Sequence, residues 1–393
     1  MKRRHWTVAG LSVLVLLVSL VTPPGADAQC ALGVPVIRLG VQGSSSGSHA
    51  DYGRQIMMGS TMAVEEINAA GGILGCKLEM KFVDEELKPA SAVKNVRYLV
   101  TEWGAHFLYG VDSSGSSMAI IKEIVRVAVP VYQDAILPAL IFKDRPELKR
   151  FATIGSDYEY GYSTWSMFKE TMKKFRPDAE FVAAAWAPFW TMDFSSHISA
   201  VMAEKPDVII ATPWAGEAVM LLRQAMLQGV FDRIHVWWQA MGGSVDVLEG
   251  ITREVQQDKF KGKLWATARY IHNWPDTPEN KAFIERFDKR WGRLPNYSAE
   301  TTYSAIYITK AAVEKAKSLE TAKVLEALKG MQIQTPAGLR VFRTEDHQFI
   351  YNVPAGRVVW DPKYPIAVLG DLKVVPAKEY YRHPPFTPVA LTK

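Results

Sequence analysis

The chain has 393 residues, 46 Lys and Arg against 41 Asp and Glu, a formal charge of +5 and 48% hydrophobic residues. Lys2, Arg3 and Arg4 supply three of those charges, so the rest is close to neutral, and no basic run is interleaved with aromatics. That excludes a nucleic-acid-binding signature, and a length near 390 residues favours about two domains over one.

Residues 1–28 combine the positive start with an apolar stretch over 8–21 and the small residues Ala26-Asp27-Ala28, the pattern of a secretory signal removed after Ala28. The apolar run is shorter than the roughly 20 residues of a membrane span. Cys30 follows Gln29, not the small residue that usually precedes a lipidated cysteine, so lipidation is the weaker alternative. Cys76 is the only other cysteine, and an oxidising compartment favours a Cys30 to Cys76 disulfide over two free thiols.

Residues 35–41 read as a strand leading into the polar loop 42–48, and 52–69 carry helical apolar spacing that stops at Gly71-Gly72. A strand over 77–82, a helix over 89–103 and a strand over 105–109 follow. The turn Gly110-Val111-Asp112-Ser113-Ser114-Gly115-Ser116-Ser117 then opens a helix over 118–127. Free N–H groups and hydroxyls at such a start suit an anionic group. Equally, Ser113 or Ser114 serves only to cap its own helix. A fourth strand is expected over 127–132, ending in Gln133-Asp134-Ala135.

A second alternating set has strands over 151–154, 181–186, 207–211 and 235–238. Helices are expected over 163–175, 194–204 and 216–228. Residues 263–270 return extended, 278–291 and 298–319 are helical, and 339–375 hold short antiparallel strands. Alternation at this spacing implies parallel sheets wrapped by helices, with ligands at the carboxyl ends of the strands. The expected fold is α/β, with two doubly wound Rossmann-like lobes.

The order and spacing of four pieces carry a resemblance over essentially the whole chain after the signal. They are Tyr52-Gly53 with Ala63-Val64-Glu65-Glu66-Ile67-Asn68-Ala69-Ala70-Gly71-Gly72-Ile73-Leu74-Gly75, the serine turn, Asp157 to Gly161, and Leu222-Arg223-Gln224-Ala225 with Gly229. The chain resembles the type I periplasmic binding proteins of the Leu/Ile/Val-binding family, receptors of ABC transporters. The resemblance implies a periplasmic, monomeric receptor whose lobes, joined by hinge strands, close on a small molecule and present it to a membrane permease and ATPase. It places one lobe at 29–138 plus 270–345, the other at 139–269 plus 346–385, and a tail at 386–393.

It also implies site residues. Ser114, beside Ser113, falls where relatives grip the ligand carboxylate, Ala135 where backbone groups are offered, and Tyr52 at the border of the site. Tyr160 and Trp214 fall where the opposite lobe presents aromatics, Trp214 replacing a tyrosine. Leu137 stands where relatives have threonine, and Met241 where they pair the ligand ammonium with glutamate. A buried ammonium without a carboxylate is costly, so an apolar or aromatic acid is the expected ligand, with Asp134 a substitute charge. The segment 136–150 is shorter than the family's first crossing, so the crossing is direct or the second lobe lacks a layer.

The chain has no Walker-type loop, no His-Glu-x-x-His, no paired-cysteine metal site and no Gly-x-Ser-x-Gly elbow. No cofactor and no catalytic residue are expected. A sensor delivering the closed form to a signalling partner, or a branched-chain amino-acid receptor proper, remain alternatives.

Overall fold

A computed structural model describes residues 30–111, 114–120, 125–128, 130–239 and 242–381. The expected signal segment and C-terminal tail lie outside these residues. The first sheet consists of β1 (Ile37–Gly43), β2 (Leu78–Asp84) and β3 (Phe107–Gly110), all parallel, in the order β2-β1-β3. Cys30 and Cys76 are bridged, with Cα atoms 4.3 Å apart, tying the approach to β1 to the approach to β2.

Around this sheet lie α1 (Ala50–Ala69), α2 (Pro89–Arg97) and α3 (Ser114–Ile120). The strand expected over 127–132 does not form. Arg126 instead makes an isolated bridge to Gln348, and α4 (Val131–Asp134) is a helical turn whose last N–H donates to the Pro130 carbonyl at 3.1 Å. Pro130 explains the difference: it has no N–H for a ladder, and its fixed φ suits a helix start.

The crossing is direct. Residues 136–150 hold α5 (Leu137–Phe142), in which Leu137, Pro138, Ala139, Ile141 and Phe142 are buried. Phe142 packs against Phe151, Trp237 and Trp265, with ring centroids 5.7 to 6.5 Å apart. One short helix therefore covers the middle of the second sheet.

That sheet begins with the parallel strands β4 (Arg150–Ser156), β5 (Glu180–Ala187), β6 (Val208–Ala211), β7 (His235–Trp238) and β8 (Leu264–Thr267). The interleaved helices are α6 (Glu159–Phe175), α7 (Ser195–Ala203), α8 (Ala215–Leu227) and α9 (Val245–Gln256). Its inner strands β4, β6 and β7 are buried on both faces, as covered parallel strands are, while the edge strand β5 is partly exposed. Phe151, Val208, Ile210 and Trp237 face one apolar cluster, while Ala152, Ile209, Ala211, Val236 and Trp238 face another.

After β8 the chain returns to the first half through α10 (Pro278–Trp291) and α11 (Tyr297–Ala316). Thr277 caps α10 and Asn296 caps α11 with their side-chain oxygens. A Cβ on Gly59 of α1 would sit 2.2 Å from the Ala299 carbonyl oxygen of α11, so this close helix packing requires glycine. Ion pairs from Arg286 to Glu66 and Arg290 to Glu65 tie α10 to α1 as well.

The helix α12 (Thr321–Leu328) precedes a small antiparallel sheet of β9 (Gln332–Thr335), β10 (Gly338–Arg343) and β11 (Gln348–Ile350). The division expected after residue 345 falls inside the β10–β11 hairpin. A fully buried pair, Arg340 and Glu300, joins β10 to α11 through two hydrogen bonds of 2.9 and 2.8 Å. Finally β12 (Val353–Val359) and β13 (Val368–Val375) add antiparallel to the second sheet, giving the order β13-β12-β8-β7-β6-β4-β5, and α13 (Ala377–Tyr380) follows. Among the described residues, no helix is long and apolar enough to cross a membrane.

Candidate ligand-binding site

The loops at the carboxyl ends of the parallel strands meet between the two sheets. From the first half, the loop after β1 supplies His49 and the first turn of α1 supplies Tyr52, both almost fully buried. The loop after β3 leads towards the serine turn, of which Gly110, Val111 and residues 114–117 are described. Gly110 has φ +96°, and a Cβ there would lie 1.8 Å from the Gln42 carbonyl oxygen. The next residue, Val111, also adopts a positive φ of 73°, a costly conformation for a β-branched side chain, and donates its N–H to that oxygen at 3.0 Å. Ser114 is the first residue of α3. Ser113 and Met241 lie outside the described residues.

From the second half, the loop after β4 supplies Tyr158, the first turn of α6 supplies Tyr160, the loop after β5 supplies Phe189 and Trp190, and Trp214 follows β6. These rings meet those of the first half. Tyr52 contacts Trp214 edge-on at 4.9 Å and Tyr297 at 5.7 Å, while His49 lies 4.2 Å from Trp214 and 5.1 Å from Trp190. Tyr158 packs on Phe189 at 4.4 Å and on Tyr160 at 6.0 Å. The polar tips are engaged. Trp214 Nε1 donates to the Tyr158 hydroxyl at 3.1 Å, Tyr160 donates to the Gln239 carbonyl at 2.9 Å, and Tyr52 donates to Ser244 Oγ at 2.6 Å. Burial raises the Tyr52 and Tyr160 hydroxyls well above the usual phenol range, and drops His49 to about 4, so all three are neutral at pH 7.

A cation enters this aromatic lining. Arg269, just past the carboxyl end of β8, places its guanidinium 5.4 Å from the Tyr297 ring centroid and pairs with Asp134 at 2.6 Å. Asp134 is fully buried. Burial raises its carboxyl to about 6, against the opposing pull of Arg269. A substitute charge for a ligand ammonium was expected at Asp134, but the structure commits it to Arg269. Ala135 was expected to offer backbone groups after a strand. It follows a helical turn instead, and its N–H already donates to the Val131 carbonyl at 3.0 Å. Glu217, in the first turn of α8, accepts the Trp190 backbone N–H, and burial raises it to about 7.

The structure thus brings Tyr52, Tyr160, Trp214 and Asp134 together. His49, Tyr158, Ser244, Arg269 and Tyr297 join them unforeseen. Tyr158 lay inside the segment 157–161 that the resemblance marked. Arg269 sat at the end of an extended stretch, and nothing local in the sequence distinguished it from a surface arginine.

Beside the aromatic lining runs an open groove of about 370 Å³, lined by Gly47, Asp51 and Arg54 from the first half and by Asp246, Glu249 and Arg293. Arg293 pairs with Asp51 at 2.6 Å. The groove is ionic, in contrast to the cluster of mutually packed rings beside it. Among the described residues, no group of three or more His, Cys, Asp or Glu is placed to hold a metal ion.

The profile described as "Periplasmic binding protein" matches residues 36–138 and 128–362. The leucine-, isoleucine-, valine-, threonine- and alanine-binding protein of Pseudomonas aeruginosa is 25% identical over 347 residues, covering 79% of this chain and 87% of that protein. Two solved structures share the fold. The solute binding protein of an ABC transporter from Rhodopseudomonas palustris BisB5, in complex with 3,4-dihydroxybenzoic acid, superimposes with a TM-score of 0.76 at 19% identity, covering 88% of this chain and 98% of that one. A branched-chain amino acid transporter substrate binding protein from Streptococcus pneumoniae, in complex with isoleucine, gives 0.74 at 18% identity, covering 87% and 99%.

Proposed function

The chain belongs to the periplasmic binding protein family, as a solute-binding component of an ABC transporter, and from that premise we propose that its ligand is a small aromatic carboxylate held between the two halves. The reading rests above all on the ring lining, to which both halves contribute: Tyr52 and His49 on one side, Tyr158, Tyr160 and Trp214 on the other. Flat rings bury large apolar area with little rotamer freedom to lose, and offset or edge-on packing suits an aromatic guest.

The charges favour an acid over a free amino acid. The buried Asp134 is neutralised by Arg269, and Glu217 is directed to the Trp190 backbone. Among the described residues of the ring lining, an ammonium would therefore meet no dedicated counter-charge. In this reading Tyr52, Tyr160 and Trp214 are assigned to the ligand's ring, and Ser114, the first residue of α3, is assigned to its carboxylate end.

In this account the lobes, 29–138 with 270–345 and 139–269 with 346–385, open and close by bending at the segments that cross between them. The signal is cleaved after Ala28, the mature protein acts outside the cytosol as a monomer, and its closed form delivers the solute to a permease and ATPase. The test is calorimetric titration of residues 29–393 with benzoate, 4-hydroxybenzoate, phenylacetate and leucine. Binding of one or more aromatic acids, with leucine silent, is expected. Tight leucine binding with no response to the acids would overturn the reading and favour a branched-chain amino-acid receptor.

A further inference from the structure

Arg269 is an unusual side chain for its position. It projects into the ring lining from the end of β8, its side chain is 12% exposed, and it makes contact with Tyr297 and Asp134. Its partner is unusual too. Asp134 is fully buried, one of its oxygens holds the guanidinium at 2.6 to 2.7 Å, and the other, Oδ1, is buried without a hydrogen-bond partner among the described residues. Carboxylates that anchor a buried arginine for structure alone are normally satisfied on both oxygens, as Glu300 is by Arg340, where each oxygen accepts from the guanidinium. The Asp134 pair is half-satisfied by comparison, and through Tyr297, which packs on Tyr52, it borders the ring cluster between the halves.

We infer that Arg269 is the residue that selects for an acid group on the ligand, and that Asp134 is its internal counter-anion, exchanged for the ligand's carboxylate when the ligand binds. This rests on the aromatic-acid reading above and names the group within that site that enforces it. The guanidinium offers five donors in a planar fork, matching a carboxylate in two parallel hydrogen bonds. A neutral analogue of the same shape would leave Arg269 with Asp134 and would gain only ring packing.

The exchange has a proton consequence. The groups facing Asp134 are Arg269, Tyr160 of α6, and Tyr351, Tyr380 and Tyr381 of the C-terminal segments, with the Arg340 to Glu300 pair beyond Tyr351. Those tyrosines are raised by burial and stay neutral. Among the described residues, Arg269 is therefore the group that holds Asp134 in its charged form. Once Arg269 turns to the ligand, Asp134 takes up a proton near neutral pH.

The experiment titrates benzoate and its neutral isostere benzamide into the wild-type chain and into Arg269→Gln, Arg269→Lys and Asp134→Asn. Near-UV circular dichroism checks each fold. For the wild type, benzoate is expected to bind at least tenfold more tightly than benzamide, with net proton uptake at pH 7 read from buffers of different ionisation enthalpy. Arg269→Gln should lose tenfold or more for benzoate while benzamide changes less than threefold, and Arg269→Lys should restore part of the discrimination. Asp134→Asn should keep or improve benzoate affinity and abolish the proton uptake.

Folded Arg269→Gln that binds benzoate as the wild type does, or that loses benzoate and benzamide equally, overturns the inference and leaves the proposed function standing. If Arg269→Gln does not fold, unchanged discrimination in Arg269→Lys together with undiminished proton uptake in Asp134→Asn overturns it. A wild-type chain that binds no aromatic acid at all fails the proposed function itself.

Discussion

The hydrogen bond from Tyr52 to Ser244 offers a way to measure how the two halves cooperate. Tyr52 belongs to α1, Ser244 precedes α9, and the two oxygens lie 2.6 Å apart with both residues buried. A neutral hydrogen bond of this kind contributes a net ~1 kcal/mol, equivalent to about a fivefold change in an equilibrium constant. If the lobes close on the ligand as proposed, a bond that spans them stabilises the closed arrangement, and its loss would lower the population competent to hold ligand. Apparent affinity falls by the same factor when the closed form is the minority state.

Tyr52→Phe keeps the ring against Trp214 and Tyr297, so packing is preserved. Calorimetry on Tyr52→Phe, Ser244→Ala and the double variant, with benzoate as ligand, should show each single variant about fivefold weaker and the double variant hardly weaker than either. The corresponding coupling is ~1 kcal/mol. Effects that simply add, to within about 0.3 kcal/mol, would refute the idea that this bond operates across the cleft.

Two further outcomes follow from the buried charges. Burial first, then Asp51, raises the Asp246 carboxyl from 3.8 to about 7. The folded state therefore holds a proton that the unfolded chain releases, and the resulting stability, complete below about pH 4, is lost as pH rises through 7. Melting temperature should accordingly fall more between pH 5 and pH 8 in the wild type than in Asp246→Asn; parallel profiles would contradict this. At the fully buried Arg340 to Glu300 pair, Glu300→Gln should destabilise by about 3–5 kcal/mol in urea unfolding, because the guanidinium is left without its counter-charge. A loss below about 1 kcal/mol would place the guanidinium in solvent contact.

Much of this fold was legible in local patterns, because helices with caps and breakers declare themselves. Pro278 after Thr277 marked α10, and the Gly71-Gly72 stop closed α1. The strand expected over 127–132 does not form because Pro130 lacks the N–H a ladder needs and directs the chain into a helical turn. The helices α9 and α12 passed unnoticed. Tyr52, Tyr160 and Trp214 were found through the resemblance, and the structure sets them in one ring cluster. Arg269 could not be found that way. Its significance comes from Asp134, 135 residues earlier, and from Tyr297 at the start of a later helix, a meeting that only the assembled topology reveals.

The most direct measurement is a crystal structure of residues 29–393 grown with benzoate. The expected result is an aromatic ring beside Tyr160 and Trp214, between the halves, with its carboxylate within hydrogen-bond distance of Arg269. Benzoate seated instead in the ionic groove of Asp51, Asp246 and Glu249, or on the outer surface of either half, would contradict the account.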